Sequence, residues 1–272
     1  MLLVMITITH WFGRNGNNIM QLIHAIYYAK MYRHSMVRFP THTFLNSTVI
    51  QIQINHDYPN IYQAEAKTDV KGSFFFLGTE FKLLREMKDP YERKLIFLEY
   101  IKPIFNITTS TLKPDDTLYI HVRSGDIFEP NPHRGYVQPP LCYYRNVIGD
   151  YDKVVAVCED EKNPCVKYLR NYPHVVYESN SVAVDLAILS GIQHFQMGLG
   201  TFDMLVYWMN ADLKTLYIPR YVVEKQMGLD VSLPIDWGPN ITVHMIDLPN
   251  YIQCGDWVNS EEQRKFMISY NA

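Results

Sequence analysis

The chain has 272 residues, 47% apolar and 19% charged, and its 25 basic against 28 acidic side chains leave a formal net charge of −3. That length holds one or two domains with sizeable cores, and the composition excludes long disorder. So small a charge excludes bulk attraction to nucleic acid as the main function, and no run approaches the roughly 18 consecutive apolar residues of a membrane span.

The opening stretch, Met1 to Ile8, is apolar without a basic region or cleavage site, so it reads as a buried strand and not as a signal peptide. The four cysteines show no CxxC spacing, and the expectation is a soluble, cytoplasmic protein. After a polar turn from His10 to Asn17, apolar residues at Ile19, Leu22, Ile23, Ile26 and Tyr27 predict a helix over 19–32. Short strands are predicted at 36–39, 48–54 and 73–77, then helices at 80–88 and 91–104 on either side of Pro90. A boundary is expected near 106–116, giving an N-terminal domain over 1–110.

Beyond it the pattern is more regular. Strands at 117–122, 153–158, 174–177, 194–197 and 215–218 alternate with helices near 140–149, 164–171, 181–190 and 201–210. Such alternation implies a parallel sheet with right-handed crossovers, a doubly wound α/β domain over 111–256. The last stretch, 257–272, reads as a helix packing back on the domains.

Ligands bind outside the carboxyl ends of strands in such sheets, so the residues just after each strand carry the chemistry. Gly13-Arg14-Asn15-Gly16-Asn17-Asn18 leads into a helix and is either an anion-binding turn or a plain connection. Arg123 ends a strand in His121-Val122-Arg123-Ser124-Gly125-Asp126 and shares a face with His121. A guanidinium there would hold a diphosphate, with Asp126 orienting it, or the two form only a structural ion pair. Glu159, Asp160 and Glu161 follow the next strand, and Gly198-Leu199-Gly200-Thr201-Phe202 opens a helix after another. Four such signals at strand ends favour a nucleotide or phosphate ligand. No P-loop, G-x-S-x-G elbow or HExxH is present, and no metal or other cofactor is expected. The 14% aromatic content, with 20 tyrosines, suits either sugar stacking or half-buried packing.

Taken in order, these segments resemble the fucosyltransferase-like glycosyltransferases with an HxRxGD motif, especially the α-1,2-fucosyltransferase group. The likeness rests on Gly13 to Asn18, His121 to Asp126, Tyr143-Tyr144, Cys158 to Asp160, Asp185 to Ser190, Gly200 to Asp203 with Trp208 and Asn210, and Tyr217 to Arg220. It implies an α/β chain of GT-B type, two Rossmann-like domains facing a cleft, and inverting, metal-independent transfer from a nucleotide sugar to a glycan acceptor. It implies Arg123 on the diphosphate, helped by the backbone around Gly200, Thr201 and Phe202; Asp160 and Asp185 near the nucleoside; and Arg14 and Asn17 in the cleft. Ser124 stands where many α-1,2-fucosyltransferases carry a second arginine. The chain also looks like small glycosyltransferases of large algal viruses, whose glycans contain xylose as well as fucose, so GDP-fucose and UDP-xylose are both expected donors. Glu80 and Asp69 are candidates for the base that deprotonates the acceptor. A non-catalytic glycan-binding module and a structural protein are the alternatives from other classes.

Overall fold

The computed structural model describes residues 4–53, 69–75, 90–107, 112–221, 225–226, 229–230 and 235–271. The chain divides into two compact units, Met1–Ile107 and Thr108–Ala272.

The N-terminal unit comprises β1 (Met5–Ile8), α1 (Asn15–Met31), β2 (Met36–Arg38), β3 (Val49–Gln51), β4 (Val70–Gly72) and α2 (Pro90–Ile96). One π-helical turn (Phe97–Ile101) and one 3-10 turn (Lys102–Ile104) continue α2. The sheet order is β3-β2-β1-β4; β1 runs parallel to β2 and β4, and β3 antiparallel to β2. Ile6 and Ile8 of β1 alternate into the core with Ile19, Leu22, Ile23 and Ile26 of α1. The strand predicted at 73–77 is corrected. It lies earlier, at Val70–Gly72, and Phe74 then takes φ +52 with its ring fully buried. The aromatic run has strand propensity, but pairing to β1 ends at Gly72 and the chain turns inward there. The predicted helix at 80–88 lies outside the described residues.

In the C-terminal unit come β5 (Thr117–Val122), a 3-10 turn (Gly125–Phe128), α3 (Leu141–Ile148), β6 (Lys153–Cys158), α4 (Pro164–Leu169), β7 (Val175–Glu178), α5 (Val182–Ile188), β8 (His194–Gln196), α6 (Thr201–Met209) and β9 (Thr215–Arg220). A two-stranded hairpin, β10 (Lys225–Gln226) with β11 (Leu229–Asp230), precedes β12 (Thr242–Asp247) and α7 (Glu261–Ser269). Six parallel strands lie in the order β12-β9-β8-β5-β6-β7. Counted along the chain this is 3-2-1-4-5-6 read from β7, the order of a Rossmann-like doubly wound sheet. All six residues of β5 are buried, as a central parallel strand covered on both faces requires.

Local chemistry sets the helix ends. Asn163 accepts the Cys165 N–H at 2.9 Å with Pro164 in the first turn of α4. Ser260 accepts the Gln263 N–H at 3.2 Å to start α7, and Gln263 Oε1 accepts the Val258 N–H at 2.9 Å. The last segment packs within the C-terminal unit: Trp257 Nε1 donates to Ile127 O at 2.9 Å, and Met267 is buried beside Tyr251 and Tyr270 in its core. Among the described residues, no helix is long and apolar enough to cross a membrane.

Candidate functional site

A doubly wound sheet opens a crevice where its strand order reverses, because the helices on either side leave toward opposite faces. Here the reversal falls between β5 and β8. The chain leaving β5 brings Arg123, and the chain leaving β8 brings the glycine loop and the N-terminus of α6.

Arg123 is held on three sides. Its guanidinium carbon lies 4.6 Å from the centroid of the Tyr136 ring. Its Nη1 comes so near Gly200 that a Cβ there would stand 2.9 Å from it. Glycine at this position lets the cation reach the first turn of α6, a helix with no side-chain cap at its N-terminus. Its Nη2 donates to Asp126 Oδ1 at 3.4 Å, a long bond to a half-exposed carboxylate. Among the described residues this is the guanidinium's one hydrogen bond, so most of its N–H donors are left over.

His121 lies two residues back on the same strand face. Its Nδ1–H donates to Asp203 Oδ1 at 2.8 Å, and the ring tilts against Phe202 with centroids 4.6 Å apart. Asp203 Oδ1 also accepts the Gly198 N–H at 3.0 Å, so one fully buried carboxylate joins β5 to the glycine loop. Its Oδ2 has no hydrogen-bond partner among the described residues. Gln138, also fully buried, takes the Leu199 N–H on its Oε1 at 3.3 Å and gives its Nε2–H to Leu199 O at 3.1 Å and Tyr136 O at 3.2 Å. That amide ties the Tyr136 segment to the glycine loop.

Asp160 braces the other loop. Its Oδ1 accepts from Ser124 Oγ, from Gly125 N at 3.2 Å and from Lys162 N at 3.0 Å. Partial burial works against the carboxylate, but these bonds hold its pKa below the ordinary value. Ser124 is buried, accepts the Asn163 N–H at 3.0 Å and points into this network, away from Arg123's partners. Gly125 has φ +69, and a Cβ there would strike the Glu159 carboxylate. Asp185 is buried in the first turn of α5. Desolvation pushes its pKa up to about 6, against the pull of His121 and of hydrogen bonds from Asn180.

The structure therefore brings Arg123, His121, Asp126, Gly200, Thr201 and Phe202 together at one point. It commits Asp160 to the loop itself and places Asp185 within electrostatic reach of His121. Arg14 and Asn17 belong to the N-terminal unit, at the start of α1, where Gly13 has φ +65 and a Cβ on it would strike the Asn17 side chain. Asp69 is withdrawn as a base: it precedes β4 and accepts the Met5 N–H at 2.9 Å, at the amino end of the sheet, opposite to the loop that feeds α1. Glu80 lies outside the described residues. Sequence reasoning passed over Gln138 and Tyr136, and it quoted Asp203 within a motif without assigning it a role; an acid in the first turn of a helix facing a strand histidine was the one readable signal.

Among the described residues no cluster of His, Cys, Asp and Glu has the arrangement to hold a metal ion. Compared with family models, curated proteins and solved structures, the chain matches none.

Proposed function

We propose that this chain is an inverting glycosyltransferase of GT-B architecture that transfers a sugar from a nucleotide donor, GDP-fucose or UDP-xylose, to a hydroxyl of a glycan acceptor without a metal ion. The observation that carries the reading is Arg123: a guanidinium fixed at the switch point of a Rossmann-like sheet, against a glycine at a helix N-terminus, with most of its donors unused. Cation, helix dipole and first-turn backbone N–H groups together suit a diphosphate. The ordered motif likeness supplies the sugar chemistry.

In this reading the acceptor oxygen attacks the anomeric carbon as the bond to the diphosphate oxygen breaks, and the hydroxyl proton is released to water. Negative charge grows on the leaving phosphate, and Arg123 with the N-terminus of α6 stabilises it there. His121 and Asp203 keep strand and loop in register, so the cation meets that charge without rearranging. Asp185, beside His121, lies toward the nucleoside.

A thermal-shift panel of GDP, UDP, GDP-fucose, UDP-xylose and UDP-glucose tests it. A ligand at about 100 times its Kd stabilises the fold by about 2.7 kcal/mol, which moves the midpoint by several degrees. A shift with GDP compounds assigns fucose, and one with UDP compounds assigns xylose or another UDP-linked sugar. Arg123→Ala is expected to abolish the shift and to lower transfer at least about 100-fold, near 2.7 kcal/mol of lost stabilisation, with the fold intact. No shift in the wild-type chain with any of the five would overturn the proposal.

A further inference from the structure

We infer that Tyr136 is a positioning residue for the diphosphate site, acting through Arg123 by clamping one face of the guanidinium so that its N–H edges point at the ligand. The inference rests on the reading of Arg123 as the diphosphate's cation.

Arginine offers two recognition surfaces, a weakly hydrated flat face and an edge of N–H donors in the same plane. A ring on the face leaves the edge free, whereas a carboxylate on the edge uses it up. At Arg123 the Tyr136 ring centroid lies 4.6 Å from the guanidinium carbon, a distance that suits the first arrangement, while its one carboxylate contact, Asp126, is long. The Gly200 backbone closes the Nη1 side. Between them the side chain keeps 16% exposure, enough to meet a ligand and too little to swing freely.

Tyr136 is itself placed by the same loop it helps to complete. Gln138 Nε2 donates to Tyr136 O and to Leu199 O, so the ring and the start of α6 share one buried brace. The Tyr136 ring also meets His133, tilted at 42° with centroids 4.7 Å apart, so a second ring holds it in place. The Tyr136 hydroxyl makes no hydrogen bond among the described residues, so the ring is what this side chain contributes. A tyrosine serving only as packing would act on stability whatever occupies position 123; a positioning tyrosine acts on anion binding and only while Arg123 is present.

Calorimetric titration of the full chain with inorganic pyrophosphate separates these cases. Tyr136→Phe keeps the ring and is expected to bind within about twofold of wild type. Tyr136→Leu is expected to bind about tenfold more weakly, about 1.4 kcal/mol, and Tyr136→Met provides a second ring-free variant should leucine unsettle the loop. In an Arg123→Ala background Tyr136→Leu is expected to change nothing further. Loss of binding in Arg123→Ala with wild-type binding in the folded ring-free variants overturns the positioning role alone. So does a weaker Tyr136→Phe, or the same additional loss without Arg123. Equal binding by wild type and Arg123→Ala overturns the diphosphate reading and this inference with it.

Discussion

The loop after β1 in the N-terminal unit and the loops after β5 and β8 in the C-terminal unit solve the same problem with different chemistry. Each leaves the carboxyl end of a central parallel strand. In the N-terminal unit neutral amides do the bracing: Gln21 accepts the Phe12 N–H at 2.7 Å and donates to His10 O at 3.1 Å and Ser73 O at 2.5 Å, and Asn18 donates to Phe12 O at 2.8 Å. In the C-terminal unit ionisable groups share the task, Asp160 beneath Ser124 and Gly125, Asp203 between His121 and Gly198. Neutral braces hold one shape at any pH. Ionisable braces couple loop shape to local charge, which matters where an anion is to be bound. Each unit also buries a group whose titration is strongly displaced, a base, His24, in the N-terminal unit and an acid, Asp185, in the C-terminal unit.

The largest expected effect comes from that base. His24 is fully buried in α1 with Nδ1 donating to Phe74 O at 3.1 Å. Burial first, and Arg93 second, lower its pKa from 6.5 to about 3, although the Phe74 bond favours the charged form. The unfolded chain therefore takes up a proton as pH falls below 6.5, and the folded unit does not. Stability is present above 6.5 and drains away toward pH 3 at about 1.4 kcal/mol per unit, on the order of 5 kcal/mol in all. Hydrogen exchange of α1 amides, corrected for intrinsic rates, is expected to show less protection at pH 5 than at pH 7. Gln in place of His24 is expected to remove the slope; the same slope in His24→Gln would assign the acid sensitivity elsewhere.

Next in size is the neutral brace. Leucine in place of Gln21 fills a similar volume but removes three hydrogen bonds, from the Phe12 N–H and to the His10 and Ser73 carbonyls. At about 1 kcal/mol for each hydrogen bond lost, and less where water replaces it, the N-terminal unit is expected to lose about 2–3 kcal/mol. The loss should be independent of pH between 7 and 9, and that independence is the point of contrast with the C-terminal unit. Denaturant melts at the two pH values check it, and a loss that varies between them would blur the distinction between the two kinds of brace.

How much of this was legible in the sequence depends on the range of the interactions. The alternation of apolar strands with helices from Thr117 to Ile218 carries the doubly wound sheet, because burial on both faces of a parallel strand leaves a local imprint. β12 left none: Thr242–Asp247 is an edge strand with exposed positions, and it reads as loop until β9 pairs with it. The loop signals Arg123, Gly200 and Thr201 are local and were readable at strand ends. Their supports are not, since His121 meets Asp203 across 82 residues and Gln138 meets Leu199 across 61. A buried glutamine looks in sequence like any surface glutamine, and only the fold reveals its partners.

The smallest effect sharpens the comparison most, because its sign is opposite. Asp185 in α5 is buried, and desolvation raises its pKa from 3.8 to about 6, with one oxygen left without a hydrogen bond among the described residues. Between about pH 4 and 6 the folded unit keeps a proton that the unfolded chain has released. Stability from this group is therefore greatest below 4 and falls as pH rises through 6, the reverse of His24. Asp160 does not mask the trend, because its pKa lies below 3.8 and its contribution is lost only at lower pH. Asp185→Asn is expected to stabilise the C-terminal unit at pH 7 by on the order of 2 kcal/mol and to flatten its pH 4–6 drift. Thermal melts at pH 4.5 and 7 measure both. A variant less stable than wild type at pH 7 would mean that the carboxylate is already compensated by His121. The ionisable bracing of this unit would then reach as far as α5, and Asp185 would count among the supports of Arg123's strand and not as a group held at a cost beside it.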